Sequence, residues 1–369
     1  MFGSGPPGRD ACWMDSGRQH HLDVVKGLAI SAIVLVHADA VLPKHAVDGI
    51  GAAASIALAA LFLVSGHVAG RRLLDDSVGS RAVITRIAPL LWLYIVWQPM
   101  VLLQRIVLAG GRGCPIDLTA EAGRLLASPV RPNGELWYLW ALALHLVLVR
   151  ATRRSAPLPV LLPAAALFVL CAGFGEHLVG EHAWHVLGPG VQGLPQFAFF
   201  TLLGSRMRAL PPRWLRSVKR LTAVGCAAAA VLIAVQAAGP PLLLRPVQTT
   251  TGVVLMLALA DLAARSRFTN GITEVGQCSV VPYLTHMSLL TLVVTGLVHA
   301  GWVPVAPSAR PAVLAAVVCV AVVFPVVGHR LVRRTRMRWL FHVPPVVVDR
   351  SADLVELQLA RWRSRRDLG

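Results

Sequence analysis

The sequence predicts an all-α protein that crosses a membrane about ten times. Of its 369 residues, 56% are hydrophobic and only 14% are charged, and the mean hydropathy is +0.64. Soluble domains are considerably less apolar. The apolar residues also fall into segments near the ~20 residues that a helix needs to cross a bilayer. We therefore predict a polytopic integral membrane bundle of about ten transmembrane helices, without a soluble second domain.

Hydropathy and helix-breaking residues divide the chain into the predicted spans, of which the fourth and sixth are the shortest. No small-residue cleavage signal follows the first span, so we expect it to remain as an anchor rather than to be removed as a signal peptide. The spans cover residues 22–42, 49–69, 87–109, 134–150, 157–175, 191–206, 219–238, 247–263, 279–299 and 312–331.

The charged residues between the spans alternate in number along the chain. Segments after even-numbered spans are rich in basic residues, whereas the other segments have few. By the positive-inside rule, both termini are predicted to be cytoplasmic and the protein to lie in the cell membrane. The net charge of +17 then reflects topology rather than nucleic-acid binding. The basic residues after even-numbered spans include Arg71, Arg72, Arg81, Arg86, Arg150, Arg153, Arg154, Arg206, Arg265, Arg330 and Arg338, and those of the opposite loops include Lys44, Arg112, Arg124, Arg131, Arg245 and Arg310.

The predicted organisation is a cytoplasmic N-terminal segment (1–21), a transmembrane domain (22–331) and a cytoplasmic basic tail (332–369). Within the tail, residues 351–366 fit either a helix on the inner membrane surface or an ordinary soluble segment. Six cysteines are scattered singly, and we predict no metal site. Glu181, His182 and His185 have metal-ligand spacing, but their glycine-rich surroundings favour an exposed loop.

Two ionisable residues, Lys26 and His37, lie inside the first apolar span, where such groups are costly and usually functional. Eleven residues apart on a helix, they differ by ~20° in azimuth and by ~16 Å along the axis. Both side chains therefore project from one face at different depths. The predicted topology places Lys26 at the cytoplasmic end and His37 toward the outer half.

The residues around this pair resemble the opening of the bacterial type-3 membrane acyltransferases, which read R-x-x-x-LD-x-x-RG-[LI]A before a histidine. Four further blocks resemble that family in the same order, and together they span most of the chain. The matching blocks are residues 18–29 (RQHHLDVVKGLA), 62–67 (FLVSGH), 86–89 (RIAP), 135–139 (ELWYL) and 276–286 (GQCSVVPYLTH).

The resemblance implies transfer of an acyl group, commonly acetyl from acetyl-CoA, to a hydroxyl group of a sugar, glycan or small molecule. Such a transfer needs a base for the hydroxyl proton, and neutral histidine suits that role, so we predict His37 as the general base. Acyl-CoA is the expected donor substrate, and no permanently bound cofactor is expected. Asp39 lies on a different helical face and is not assigned as the orienting carboxylate of His37.

We predict that Lys26, Arg86 and Arg81 bind the phosphates of the donor at the cytoplasmic rim. Arginines at span ends also set topology or extend to the interface, which is the alternative for each of these residues. Many family members carry an Arg-x-x-Arg pair here, but Val83 occupies the position three before Arg86, so the pair is incomplete. Arg81 is the expected substitute.

For the acceptor, we predict binding by Glu135, Trp137, Tyr283 and His286, with His286 facing the bundle interior. His67 is expected to be a structural histidine at a helix end. The alternative function is a transporter or flippase of a polar small molecule or lipid-linked glycan, which ten spans with buried charges would also fit. An inactive scaffold or sensor is a third possibility.

Overall fold

The computed structural model describes residues 19–42, 50–111, 113–132, 134–207, 217–237, 244–266, 269–301, 309–332 and 334–366. Within these ranges the chain forms thirteen α-helices and contains no β-strand. The helices are α1 (His20–Val41), α2 (Gly51–Leu73), α3 (Ser80–Gly111), α4 (Leu118–Ala127), α5 (Trp137–Ala151), α6 (Pro157–Val179), α7 (Glu181–Arg206), α8 (Val218–Ala237), α9 (Leu244–Ala263), α10 (Asn270–Gln277), α11 (Val280–His299), α12 (Arg310–Val332) and α13 (Pro345–Arg366).

Ten of these helices are long and apolar enough to span a membrane, which confirms the predicted fold class. They are α1 to α3, α5 to α9, α11 and α12. Two spans begin well before their predicted starts. The third starts at Ser80, and the sixth starts at Glu181 because a kink at Gly188 joins a short helical segment to the predicted span. The short helices α4 and α10 were not predicted. Residues 1–18 of the predicted N-terminal segment lie outside the described residues.

An even number of spans places the start of α1 and the end of α12 at the same end of the bundle, which we call the terminal face. Ion pairs link neighbouring segments there. Arg153 contacts Asp76 at 2.7 Å, and Arg330 pairs with Glu274 of α10. The hydrogen bond from Arg153 lowers the pKa of the exposed Asp76 carboxyl below its ordinary value. The cytoplasmic orientation of this face stays a prediction.

The tail helix α13 lies along the first turns of α3. Arg81 of α3 pairs with Asp349 at 2.5 Å and with Asp353 at 3.5 Å. The segment that precedes α13 also packs along α3. There, the indole N–H of Trp97 in α3 donates to the Leu340 carbonyl at 2.7 Å. The helix is longer than the predicted segment 351–366, and it packs against α3.

The core lies where α1, α2, α5, α7 and α11 meet. Helices α2 and α7 approach each other closely at Gly66, where a Cβ atom would collide with the Thr201 backbone carbonyl. Small residues allow such close approach between membrane helices. Beside this contact, Phe62 is fully buried and stacks on Phe197 with ring centroids 5.3 Å apart.

Large apolar side chains are exposed around the outside of the bundle. Ile95, Leu158 and Ile233 have exposed fractions of 66, 67 and 70%. Soluble monomers rarely expose extended apolar patches, whereas a bilayer covers them. The exposed surface therefore agrees with a multi-pass membrane protein.

Candidate functional site

The packing of the bundle brings together two histidines that lie far apart in the sequence. His37 of α1 and His286 of α11 form an edge-to-face contact with ring centroids 5.1 Å apart and an interplanar angle of 87°. His286 is fully buried, as expected for a residue facing the interior. The Nδ1 atom of His37 is also buried and makes no hydrogen bond to the described residues. A buried nitrogen of this kind is available to a substrate.

The hydrogen bonds of His286 define its tautomer. Its Nδ1 atom lies 2.7 Å from the Tyr283 carbonyl oxygen and 3.1 Å from that of Pro282. Because a carbonyl oxygen only accepts hydrogen bonds, Nδ1 carries the hydrogen, and Nε2 of the neutral ring is an acceptor. This Nε2 atom is buried and makes no hydrogen bond within the described part of the chain. The pair therefore presents two buried nitrogens with unused hydrogen-bonding capacity.

Glu135 lies next to the histidine pair, in the 3-10 turn that precedes α5. The Gln104 amide of α3 donates to both carboxylate oxygens of Glu135 at 3.1 Å. The Tyr283 hydroxyl donates to the Glu135 backbone carbonyl, which ties this turn to the helix that carries His286. Glu135 is close enough to His37 for the two groups to interact electrostatically. A negative charge here would stabilise a positive charge formed on His37.

Trp137 follows this turn but lies among aromatic side chains rather than at the histidine pair. Its ring centroid is 6.2 Å from that of Phe62 and 5.9 Å from that of Phe197. The neighbouring Tyr138 hydroxyl is 3.0 Å from Ser65 Oγ. These contacts place Trp137 in the core that supports the site, and its proposed contact with the acceptor stays a prediction.

Lys26 lies on α1 toward the terminal face. Its Nζ atom contacts the buried Asp23 carboxylate at 2.7 Å, one helical turn earlier. The Lys26 side chain keeps an exposed fraction of 26%. This ion pair, which was not predicted, neutralises part of the lysine charge before any ligand binds.

Arg86 and Arg81 lie in different surroundings, although both belong to α3. Arg81 is exposed and held by Asp349 and Asp353 of the tail helix. Arg86 is half-buried and close enough to Arg72 for the two cations to repel each other. Neither Arg86 nor Arg72 forms an ion pair with a described acidic residue. Uncompensated neighbouring cations favour the binding of an anion.

The remaining histidines of interest lie away from the pair. In α2, the Nδ1 atom of His67 is 3.1 Å from the backbone carbonyl oxygen of Met207, which follows α7. His185 and Glu181 are exposed and 3.9 Å apart. Among the described residues, no three histidine, cysteine or acidic side chains lie close enough to hold a metal ion.

Gln104 and Ser288 are the polar site residues that the sequence analysis missed. Ser288 Oγ donates to the side-chain oxygen Oε1 of Gln104 at 3.3 Å, which orients the Gln104 side-chain amide toward Glu135. A glutamine within the apolar third span was the available signal, because a polar group inside a membrane usually has a partner. Its partners, Glu135 and Ser288, lie in other elements, and nothing in the sequence pairs them with Gln104.

A family model described as an acyltransferase domain matches residues 19–330, which contain the histidine pair, Glu135, Arg81 and Arg86. No curated protein and no solved structure matches the chain.

Proposed function

This chain belongs to the acyltransferase family, and on that premise we propose that it transfers an acyl group from acyl-CoA to a hydroxyl group of an acceptor. The acyl group is proposed to be acetyl, and the acceptor a sugar, glycan or small molecule. His37 is proposed as the general base.

The observation that carries this proposal is the buried contact between His37 and His286 beside Glu135. His286 packs against the His37 ring and limits its rotation. The Nδ1 atom of His37 makes no hydrogen bond to the described residues and is buried, as a base that accepts a proton from a substrate should be. By contrast, both ring nitrogens of the buried His145 have contacts, to Thr201 Oγ1 and to the Leu194 carbonyl oxygen.

The proposed transfer proceeds in two proton steps. His37 accepts the proton of the acceptor hydroxyl while the hydroxyl oxygen attacks the thioester carbonyl carbon. The carbon–sulfur bond then breaks, and the thiolate of CoA accepts this proton from His37. The products are an ester and free CoA. The nearby Glu135 carboxylate stabilises the imidazolium that forms between these steps.

The proposed donor anchor is Arg86 together with Arg72. Guanidinium groups bind phosphate through two parallel hydrogen bonds, and these two cations lack acidic partners among the described residues. Arg72 thus takes the place of the basic residue that Val83 does not supply. Lys26 is proposed to contribute as a weaker anchor, because Asp23 already pairs with it.

The test uses purified protein in detergent with acetyl-CoA labelled in the acetyl group. We expect free CoA thiol to appear and the label to enter an acceptor from a membrane extract. The alternative function makes a different prediction in sealed vesicles. Accumulation of a labelled acceptor inside vesicles, with no release of CoA thiol under any condition, would indicate a transporter and contradict the proposal.

A further inference from the structure

A cavity of about 810 Å³ opens near the end of the bundle that lies opposite the terminal face. Its walls are the end of α3, the short helix α4, the segment that follows α4 and the kink of α7. Gly188 forms this kink with a φ of 73°, a conformation that favours glycine, and Pro189 follows it. The volume is suited to a small molecule or to one or two units of a glycan.

Basic side chains dominate the charge of this cavity. Arg105, Arg124 and Arg131 line it together with a single carboxylate, Glu121. Glu121 pairs with Arg105 at 3.1 Å and also with Arg124 of its own helix. Arg131 is exposed, and it makes no ion pair with the part of the chain that the structure describes. Three guanidinium groups against one carboxylate leave an excess of positive charge.

The position of these arginines is unusual for a membrane protein. Loops at this end of the bundle carry few basic residues elsewhere, in agreement with the positive-inside rule. Here, however, arginines from α3, α4 and the following loop surround one hollow. A cleft lined by one sign of charge concentrates ligands of the opposite sign. Arginine in particular binds carboxylate and phosphate groups.

The cavity lies beside the histidine site, because two of its lining residues are adjacent in sequence to residues of that site. Arg105 is adjacent in sequence to Gln104, whose amide holds the Glu135 carboxylate. Gly134 lines the cavity and immediately precedes Glu135. Arg105 is also close enough to Glu135 for their charges to interact, so a ligand in the cavity lies near the group beside His37.

We propose that this cavity binds the acceptor and that the acceptor carries an anionic group, a carboxylate or a phosphate, in addition to its reacting hydroxyl. The arginines hold the anionic group in the cavity, and the hydroxyl extends past Glu135 toward His37. This inference rests on the proposed acyl transfer, because it assigns the acceptor of that reaction.

Cys114 provides a reporter within the unmodified chain, because it lines the cavity and is exposed. The experiment measures the rate at which N-ethylmaleimide modifies Cys114, by mass spectrometry and without any acyl donor. The added probes are glucuronate, glucose 6-phosphate and glucose, which share a hexose ring and differ in charge. Cys226 and Cys319 are also exposed but lie on α8 and α12, so they serve as internal controls.

We expect at least one of the two anionic probes to slow the modification of Cys114 several-fold at low salt, and glucose to have little effect. High salt should weaken the protection because it screens the charges. Arg131→Gln should abolish the protection, whereas Arg245→Gln should retain it, since Arg245 is exposed at the same end of the bundle but outside the cavity. Thermal unfolding of both variants checks that they remain folded.

Equal protection by glucose and the anionic probes, or no protection by any of them, would overturn the proposal. Unchanged protection in Arg131→Gln would do the same. None of these results bears on the release of CoA thiol. The acyl-transfer proposal requires that release, which is measured without reference to the cavity. The two proposals can therefore fail separately.

Discussion

At the scale of single residues, arginines that look equivalent in the sequence differ in the charged groups that surround them. Arg81 and Arg86 both precede the apolar part of α3, but Arg81 is neutralised by two aspartates of the tail helix, whereas Arg86 lies beside another cation. Sequence spacing suggested Arg81 as the substitute for the missing basic residue at position 83. The geometry favours Arg72 instead, on the preceding helix.

We expect Arg86→Gln to raise the KM for acetyl-CoA about 10- to 100-fold, since a hydrogen bond to a charged group contributes about 1.5–3 kcal/mol. Arg72→Gln should have a smaller effect in the same direction. Arg81→Gln is the matched control on the same helix, and its KM should stay within about twofold of the wild type, because exposed ion pairs contribute little. Steady-state kinetics measures all three. A KM that rises for Arg81→Gln but not for Arg86→Gln would reverse the assignment.

At the scale of elements, the position of the site depends on how closely the helices pack. The contact of α2 with α7 at Gly66 fixes the aromatic core around Phe62, against which the start of α5 and its Glu135 turn are placed. The resemblance identified this glycine through the block at residues 62–67, but its partner Thr201 could not be predicted. The partner lies on a helix whose sequence has no signal for that contact.

Gly66→Ala should destabilise the protein by about 1–3 kcal/mol, because the added methyl group would overlap the Thr201 carbonyl. Gly296→Ala is the control within another span, where a Cβ atom meets nothing within 4 Å. It should be neutral or stabilising by up to about 1 kcal/mol, since alanine favours helix more than glycine does. Thermal unfolding in detergent compares the two variants. Equal melting temperatures would show that α2 and α7 are less tightly packed than described.

At the scale of the whole molecule, the ten spans were predictable because length and hydropathy determine them locally. Several features of the site were not, because they depend on distant contacts. The contact between His37 and His286 joins the first and ninth spans, and the arginine cavity joins α3, α4 and α7. From the sequence, Arg124 and Arg131 were predicted only as basic residues of a loop, because the cavity that they share exists only after folding.

The predicted orientation places Cys114 outside the cell and the chain termini inside. In intact cells, a membrane-impermeant maleimide should therefore modify Cys114, whereas a peptide tag at the C-terminus should bind its antibody only after the membrane is opened. Modification of Cys114 only in opened cells, together with antibody binding to intact cells, would show the reverse orientation. The donor anchor would then face away from cytoplasmic acyl-CoA.

The central claim is that His37 is the base for acyl transfer, and His37→Ala tests it most directly. Its kcat for release of CoA thiol from acetyl-CoA in the presence of acceptor should fall by about 10²–10⁴-fold, the usual contribution of general base catalysis. His299→Ala is the control, because His299 is exposed at the far end of the helix that carries His286, and it should keep the wild-type rate. Wild-type turnover by a folded His37→Ala variant would contradict the account.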